Sequence, residues 1–415
     1  MYPLLVKIEG KDENGEIIMR ILLVNLTKMV NDTGGLAKVT SIFANEMQRR
    51  GHTVSLVYSD VRMGNFYYPL NTGIDAYDLC HYEGKNISMP FWYKVKREVL
   101  RPFDKRKARG VNNEFIRNYL LDNLHSVLNL TSPDVIVAFQ PAASKSLLID
   151  LKINTPVITM SHGDPEDYFC TYPIEEIEAV AKSTVNQVLL PSFADHIKKH
   201  LPEAKTVVIG NAIPQYVEQA ELAASKERRV IVFVARLTKN HKRPHLLIEA
   251  FALLASKYSN WDVELWGQED RKIYKKELNA LISKLGLTER VTFMGATTNV
   301  PSVLVNADIF AFPSAYEGFG LSLGEAMSMG LPAVGYKSCS AVNELIIDGK
   351  TGILCDDGVE PFARALEKLM MSQELRIQMG QAGRERMRQF APEIIWNQWE
   401  LLLQKNIRRE ESKSN

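Results

Sequence analysis

Short apolar runs rich in β-branched residues alternate along this chain with longer amphipathic segments. The runs that we predict as strands are residues 20–26, 53–59, 134–139, 156–161 and 187–192 in the first half, and 230–236, 262–267, 291–295, 308–314 and 332–336 in the second. Segments with helical periodicity lie between them. Because parallel strands need long crossover connections, which are usually helices, this alternation predicts an α/β protein with parallel sheets.

The length of the chain divides this pattern into two domains. A chain of 415 residues is too long for one ordinary hydrophobic core. We predict doubly wound domains over residues 1–212 and 213–391, an apolar-faced helix over 392–409 and a polar tail over 410–415. Residues 1–18 precede the first strand, and they are read either as an added strand or as the product of an upstream start.

Charge, cysteine content and apolar runs limit the partners and the location that we expect for this protein. The net charge of +1 gives no general attraction to nucleic acid, so we expect no nucleic-acid partner. The four cysteines form no C-x-x-C pair, which argues against a zinc knuckle or a redox motif and fits a reducing cytoplasm. No apolar run approaches the ~20 residues of a membrane span, and the acidic N-terminal segment does not resemble a signal peptide. We therefore expect a cytoplasmic protein.

The stretch "SAYEGFGLSLGEAMSMGLP" places two glutamates, Glu317 and Glu325, on either side of a predicted helix start. Gly320 lets the backbone approach a ligand closely, and the unpaired amides of a helix start suit an anionic group. Carboxylates are strong acceptors for neutral hydroxyls. The stretch therefore fits a diphosphate with one sugar on each side. In the alternative interpretation, Glu325 only complements the helix dipole and Glu317 is solvated.

A basic loop follows the strand predicted at residues 230–236. Arg236 leaves the strand end and Lys242 precedes an amphipathic helix, so the two cations could clamp a diphosphate. A solvated basic loop that includes Lys239, His241 and Arg243 is the alternative.

Two further loops follow strands in the first half. Gly34 and Gly35 permit close approach to a phosphate or a sugar, but they do not form G-x-G-x-x-G, so a nicotinamide cofactor is poorly supported. His162 ends the strand predicted at residues 156–161, where it could donate to a sugar hydroxyl or shield developing charge. A local hydrogen-bonding role is the alternative for this histidine.

These segments, in this order, resemble the large retaining glycosyltransferase family, glycosyl transferases group 1, which includes bacterial transferases of surface glycans. Its hallmark E-x7-E is present as Glu317 and Glu325. Other matching segments, from Met19 onward, are "RRGHTVSLV", "PSFADHIKKH", "VVIGNAIP" and "VNELIIDGKTGIL". The resemblance implies the GT-B fold, two Rossmann-like domains facing a central cleft. It also implies an N-terminal acceptor-binding domain, a C-terminal domain for the nucleotide sugar, and a last helix that packs back on the N-terminal domain.

The resemblance also implies residue roles. Glu325 would hold the ribose hydroxyls and Glu317 a hydroxyl of the transferred sugar, while Arg236 and Lys242 would neutralise the departing diphosphate. His162 would face the donor sugar. The remaining donor-binding residues implied by the resemblance are Phe319, Gly320, Leu321 and Ser322 through their amides, Gly34 and Gly35 in the cleft, and Gly267, Met294 and Gly295 at the base.

The expected reaction is transfer of a hexosyl unit from a nucleoside-diphosphate sugar, with uridine diphosphate favoured on general frequency. The acceptor would be a glycan or lipid-linked molecule in bacterial cell-surface polysaccharide or lipopolysaccharide biosynthesis. The family retains anomeric configuration, and the chain contains no D-x-D, so we expect no cofactor and no essential metal. Alternatives are a sugar-nucleotide epimerase of the same fold, which would need no acceptor, and a non-catalytic glycan- or nucleotide-binding subunit.

Residues 91–110 contain eight lysines and arginines and two acidic residues, interleaved with bulky apolar residues such as Phe91, Trp92 and Phe103. This pattern suits an anionic membrane surface or a negatively charged glycan acceptor. We expect peripheral attachment to the inner face of the cytoplasmic membrane. A solvated loop or an ordinary helix is the alternative.

Overall fold

A computed structural model describes residues 17–269 and 271–411, with side chains of the last helix described through residue 407. The question raised about residues 1–18 therefore lies almost wholly outside the described residues. The described chain forms two compact units. The first comprises the chain up to Gly210 and from Trp396 onward, and the second comprises Asn211–Ile395.

The first unit contains a parallel sheet of seven strands. Its strands are β1 (Arg20–Asn25), β2 (Thr53–Tyr58), β3 (Asp75–Asp78), β4 (Val135–Ala138), β5 (Val157–Met160), β6 (Val185–Val188) and β7 (Thr206–Val208). Their order across the sheet is β3-β2-β1-β4-β5-β6-β7. Its helices are α1 (Gly35–Arg49), α2 (Phe91–Leu100), α3 (Lys105–Phe115), α4 (Leu121–Thr131), α5 (Pro141–Lys145), α6 (Glu166–Thr171), α7 (Ile174–Lys182) and α8 (Pro191–His200). A 3-10 turn covers Tyr82–Gly84, and π-helical turns cover Ile116–Leu120 and Ser146–Asp150.

The second unit contains a parallel sheet of six strands. These are β8 (Arg229–Val234), β9 (Trp261–Trp266), β10 (Val291–Gly295), β11 (Ile309–Phe312), β12 (Ala333–Tyr336) and β13 (Gly352–Cys355), in the order β10-β9-β8-β11-β12-β13. Its helices are α9 (Pro244–Ala252), α10 (Lys272–Lys284), α11 (Val300–Asn306), α12 (Leu321–Ser328), α13 (Val342–Leu345), α14 (Val359–Met371) and α15 (Gln373–Met387), and a 3-10 turn covers Arg388–Phe390.

The predicted α/β class with parallel sheets is confirmed. The strand predicted at residues 187–192 is shifted, because β6 ends at Val188 and Pro191 opens α8, where its fixed φ suits a helix start. Three strands were not predicted: β3, β7 and β13. Each lies at a sheet edge, where a strand has one neighbour and needs only a short apolar run.

The last helix, α16 (Pro392–Glu411), supplies core side chains to the first unit. The rings of Trp396 and Trp399 meet Phe43 of α1 edge-on, with centroids 5.6 and 4.9 Å apart. Arg50 donates to Glu400 at 2.7 Å in the same contact. The predicted polar tail is corrected at residues 410 and 411, which continue the helix, and its residues 412–415 lie outside the described residues.

Strand order reverses once in each sheet. In the first unit the reversal lies between β1 and β4, and in the second it lies between β8 and β11. Connections on the two sides of such a point run to opposite faces of the sheet and leave a crevice at the carboxyl ends of the strands. We therefore expect ligand-binding residues at the carboxyl ends of β1 and β4 in the first unit and of β8 and β11 in the second.

Candidate active site

In the second unit, the loop after β8 is fastened to the loop after β11. The Arg243 guanidinium donates to the carbonyl oxygens of Pro313 and Ser314, each at 2.9 Å. Arg243 itself has a left-handed backbone (φ 51) just before Pro244 opens α9. Both loops follow neighbouring strands at the reversal point, so these bonds fix the groups that the loops carry.

The ammonium of Lys242 and the carboxylate of Glu317 form a short ion pair across these loops. Their side chains are only 14% and 7% exposed. The Lys242 ammonium also lies 4.9 Å from the centre of the Phe312 ring. The interpretation of Glu317 as a solvated residue is therefore wrong. Because little of either side chain is exposed, the pair holds both groups in place across the two loops.

His241 lies beside this pair. Its Nε2 is 2.8 Å from the carbonyl oxygen of Tyr316 and 3.7 Å from Oε1 of Glu317. Its ring stacks on the Tyr316 ring, with centroids 4.2 Å apart. Burial lowers the pKa of His241, and the charge of Lys242 acts in the same direction. A neutral imidazole can donate from Nε2 to the carbonyl, so His241 braces the loop that carries Glu317.

Arg236 is the cation of this loop that is open to a ligand. It follows β8 and is exposed, and its guanidinium has no hydrogen-bond or ion-pair partner among the described residues. Lys239 instead pairs at 2.7 Å with Glu277 on the exposed surface. The alternative of a solvated basic residue therefore suits Lys239 and does not suit Lys242, whose side chain is only partly exposed.

The helix start predicted after Gly320 is present as α12. Gly320 has φ 81, a conformation that favours glycine. Phe319 is buried, with its ring edge-on to Phe390 at 5.1 Å. The amides of Leu321 and Ser322 belong to the first turn, where an α-helix offers no acceptor of its own. The helix start can therefore receive an anionic group.

Glu325 is buried in the second turn of α12, beyond the first turn where the helix dipole favours an acidic side chain most. Burial, together with the charge of Glu325, raises the pKa of Tyr216 to about 12. Tyr216 is therefore a neutral hydroxyl near this carboxylate, a neighbour that the sequence pattern did not identify.

The residues predicted to contact the nucleotide base lie at the carboxyl ends of β9 and β10, on the side of β8 away from β11. Gly267 follows β9 with φ 146, and a Cβ there would lie 1.9 Å from the carbonyl oxygen of Ala235, so only glycine fits. Its amide donates to the Gly295 carbonyl at 2.7 Å. Gly295 has φ 80 and ends β10, and the neighbouring Met294 is exposed. The ends of β10, β9, β8 and β11 thus form one continuous edge.

The first unit holds Gly34, Gly35 and His162. Gly34 precedes α1, and its amide donates to Asp32 Oδ1 at 3.0 Å. A Cβ on Gly35 would have no atom within 4 Å. Neither glycine has a positive φ, so the backbone conformation does not require glycine at these positions. Their effect is that the loop carries no side chain there.

The ring of His162 stacks on Phe139 with centroids 5.6 Å apart. Enclosure among apolar groups lowers the pKa of His162 to about 4, so the ring is neutral at pH 7. Its Nε2 is buried and has no hydrogen-bond partner among the described residues. The local hydrogen-bonding alternative therefore does not account for Nε2.

Within residues 17–269 and 271–411, no group of three or more His, Cys, Asp or Glu side chains is arranged to hold a metal ion. Metal independence and the individual residue roles stay predictions. No helix in the described part of the chain is long and apolar enough to span a membrane.

Comparison with known proteins identifies the second unit. Residues 214–386 match the family model described as glycosyl transferases group 1. The second unit is therefore similar to this family over those residues. The predicted resemblance is confirmed.

Three relatives also match this chain, two of them over most of its length. An uncharacterized glycosyltransferase of Haemophilus influenzae is 27% identical over 47% of the chain, and the match spans about half of that relative, 55%. The N-acetyl-alpha-D-glucosaminyl L-malate synthase of Bacillus anthracis is 25% identical, with 89% of the chain and 93% of the relative covered. The amylovoran biosynthesis glycosyltransferase AmsD of Erwinia amylovora is 23% identical, with 97% and 100% covered.

Solved structures share the fold. Sucrose-phosphate synthase from Thermosynechococcus elongatus has a TM-score of 0.73 at 14% identity, covering 93% of this chain and 98% of that one. Anabaena Alr3699/HepE in complex with UDP has a TM-score of 0.70 at 18% identity, covering 93% and 100%. The fold is that of the GT-B glycosyltransferases, with two parallel-sheet α/β domains.

Proposed function

We propose that this protein is a glycosyltransferase that moves a hexosyl unit from a nucleoside-diphosphate sugar, with uridine diphosphate as the nucleotide, to a glycan or lipid-linked acceptor of a bacterial cell-surface polysaccharide. The observation that carries the proposal is the buried Lys242–Glu317 pair at the strand-order reversal of the unit that the family model matches. Relatives that include an amylovoran biosynthesis glycosyltransferase, and a UDP complex of the same fold, support the choice of acceptor and nucleotide.

The donor would use the whole carboxyl edge of the second sheet. Glu317 accepts a hydroxyl of the transferred sugar, and Glu325 accepts the ribose hydroxyls. Arg236 and the amides at the start of α12 meet the diphosphate, while the exposed edge at Gly267 contacts the base. This order is supported by the strand order, which places the end of β9 next to β8 and the end of β8 next to β11.

Charge development explains why cations and amides suit the reaction. When the nucleoside diphosphate leaves, negative charge grows on its phosphate, and fixed donors stabilise charge that develops in the transition state. Lys242 has a second role here, because its bond to Glu317 holds that carboxylate in position. We propose that the leaving phosphate takes the acceptor's proton on the same face, that the anomeric configuration is retained, and that no divalent metal is essential.

A nucleotide panel tests the proposal. The full-length protein is titrated calorimetrically with the diphosphates of uridine, guanosine and adenosine and with their hexose conjugates, with and without magnesium. We expect preference for the uridine compounds with no need for metal. Failure of every nucleotide to bind would refute the proposal. Sugar conversion without an acceptor would point to an epimerase instead.

Variants then test the residue roles. Glu317→Gln and Arg236→Ala should each lower the transfer rate by about 100-fold or more, since each removes a charged contact to the donor. Lys239→Ala is the matched control, because Lys239 is on the same loop and its ammonium pairs with Glu277 on the exposed surface. Equal activity of Arg236→Ala and Lys239→Ala would contradict the assignment.

We also propose that α2 attaches the protein to an anionic membrane surface. Phe91 and Trp92 at the start of this helix are 78% and 65% exposed, and Phe103 in the turn after it is 86% exposed. Lysines and arginines lie between them, and this combination of exposed apolar side chains and cations is typical of helices that lie in the headgroup region.

Vesicle co-sedimentation tests this attachment. The protein should bind phosphatidylglycerol vesicles at low salt and release at high salt. The variant Phe91→Ser/Trp92→Ser should lose most binding, whereas Ile174→Ser, at an equally exposed residue on α7, should not. Equal binding by both variants, or none by the unmodified protein, would rule the attachment out.

A further inference from the structure

A cavity of about 590 Å³ lies at the strand-order reversal of the first unit. Leu26 and Thr27, which follow β1, line it on one side, and Gln140, which follows β4, lines it on the other. This is the position at which a parallel sheet offers a ligand site. None of the donor-binding residues predicted from the sequence lines this cavity, so it is a separate site.

The outer wall of the cavity is strongly cationic. It comes from α2, α3 and the turn between them, and its cations are Arg97, Arg101, Lys105 and Arg109. Two carboxylates, Asp167 and Glu176, also line the cavity. The four cations leave a net positive lining, and a concave site with charge of one sign attracts the opposite charge.

The cations at the mouth are available to a ligand. The ammonium of Lys105 is exposed and has no ion-pair or hydrogen-bond partner among the described residues. Arg97 and Arg101 share one carboxylate, that of Glu98, at 3.2 and 2.9 Å, and Arg97 also donates from Nη1 to Asn112 Oδ1 at 3.1 Å. Glu98 is half exposed, and ion pairs of this kind contribute little because water screens them. An incoming anion can therefore compete for both arginines.

The inner wall offers a buried hydrogen-bond acceptor. Glu176 is fully buried, and its Oε1 accepts from Asn113 Nδ2 at 2.8 Å. Its Oε2 is buried without a hydrogen bond and forms an ion pair with Arg109, whose Nε is 3.5 Å away. Arg109 offsets part of the free energy that burial of this oxygen costs, and a ligand hydroxyl that reached Oε2 would supply the missing hydrogen bond.

Arg109 also lines the cavity and is held in place. Its guanidinium lies over the ring of Tyr172, 3.2 Å from the ring centre, and this stacking fixes its plane. Burial raises the pKa of Glu176, and the charge of Arg109 opposes that rise. The cavity therefore presents cations at its mouth and a carboxyl group at its inner end.

We propose that this cavity binds the acceptor, and that the acceptor carries an anionic group beside free hydroxyls. Arg97, Arg101 and Lys105 hold the phosphate or carboxylate, and Glu176 accepts a hydroxyl. Sugar phosphates, uronic acids and hydroxy acids have this chemistry, whereas neutral sugars do not. The role as acceptor rests on the proposed glycosyltransferase function, but the binding of the anion does not.

Calorimetric titration of the full-length protein tests the charge requirement. The probes are D-glucose 1-phosphate, D-glucuronate and neutral D-glucose. Both anions should bind about 10-fold or more tightly than glucose, because only they engage the cations. Equal affinity for glucose and glucuronate would overturn the proposal.

Variants locate the binding. Arg101→Ala and Lys105→Ala should each weaken anion binding about 3- to 10-fold, and both side chains are exposed, so folding is expected to be kept. Lys107→Ala is the control, since Lys107 is on the same helix, pairs with Asp104 and does not line the cavity. If Lys105→Ala and Lys107→Ala behave alike, the anion does not bind here.

A second comparison isolates the hydroxyl contact. Glu176→Gln replaces the carboxyl group with an amide and keeps the side-chain length. It should weaken glucuronate binding and leave inorganic sulfate binding unchanged, because sulfate has no hydroxyl to donate. A parallel loss for both probes would assign Glu176 a structural role only and remove it from the proposed site. Should this variant fail to fold, the Arg101 and Lys105 variants still decide the proposal.

Two further arms identify the source of the anion and separate the two proposals. If glucuronate displaces the protein from phosphatidylglycerol vesicles, the anionic group that the cavity binds belongs to a lipid headgroup. If the protein stays on the vesicles when glucuronate fills the cavity, the anionic acceptor is a molecule free in solution. Uridine diphosphate is titrated in parallel. Binding of the nucleotide without either anion overturns the cavity proposal alone, whereas binding of the anions without any nucleotide overturns the glycosyltransferase function and leaves the anion site standing.

Discussion

Breaking the Lys242–Glu317 pair should destabilise the second unit far more than breaking an exposed pair. Glu317→Ala leaves the Lys242 ammonium, whose side chain is 14% exposed, without its carboxylate. Removing one partner of a buried ion pair costs about 3–5 kcal/mol, because an uncompensated charge stays out of water. We expect a loss in this range for Glu317→Ala and a similar loss for Lys242→Met.

The double variant Lys242→Met/Glu317→Leu completes the cycle. With both charges replaced by apolar groups, most of the lost stability should return, since such replacements of buried pairs are often neutral or stabilising. The control is Lys239→Met, which breaks the exposed pair with Glu277 and should cost less than about 1 kcal/mol. Donor transfer should stay lost in the double variant, which separates the pair's part in folding from its part in binding.

Because the chain has two units, global unfolding is not a safe two-state measure. Hydrogen exchange followed by mass spectrometry on peptides of α12 and the preceding loop reports the second unit alone. If Glu317→Ala and Lys239→Met change the protection of these peptides by the same amount, the pair does not hold the two loops, and the reasoning is refuted.

Other predictions follow from single positions. Gly267→Ala should lower stability by about 2–3 kcal/mol in a thermal melt, because its φ of 146 disfavours a side chain and a Cβ would overlap a backbone carbonyl; Gly35→Ala, whose Cβ meets nothing, should be neutral. Burial lowers the pKa of His162 to about 4, so as pH falls the unfolded chain takes up this proton before the folded protein does. The free energy of unfolding should therefore decrease as pH drops from about 6.5 toward 4. His162→Phe should reduce this decrease, as measured by urea titrations at the two pH values. Trp399→Ala should cost about 3–5 kcal/mol by hydrogen exchange of α1, since its ring packs on Phe43 at 4.9 Å.

Several elements of the site were readable from the sequence because their cause is local. Gly320 and Gly267 both have positive φ, as expected where glycines end or begin elements at a ligand edge. The spacing of Glu317 and Glu325 around the start of α12 was also visible, since three loop residues and the first five residues of the helix span that distance. The edge strands were missed because one neighbour and few apolar residues leave only a weak pattern.

Partners that are distant in sequence were not readable. The basic loop predicts Lys242 as a phosphate ligand, and it gives no sign that the ammonium also bonds to a carboxylate 75 residues further on. The charged segment near residue 100 predicted a membrane-binding or glycan-binding surface, but its residues also line a cavity. Another residue that lines this cavity is Glu176, which in the sequence is only one of two acidic residues in the first turn of α7. No local signal separates that glutamate from its neighbour Glu175, which is half exposed.

The sequence by itself determined the strand–helix alternation, the glycines at the turns and the helix start between the two glutamates, because each depends on the conformational preferences of a few adjacent residues. Only the tertiary structure decided which charges are paired and which stay open to a ligand. Those outcomes depend on the strand order, which places β8 beside β11 and β1 beside β4, and so brings together side chains from distant parts of the chain in a setting that water cannot fully screen.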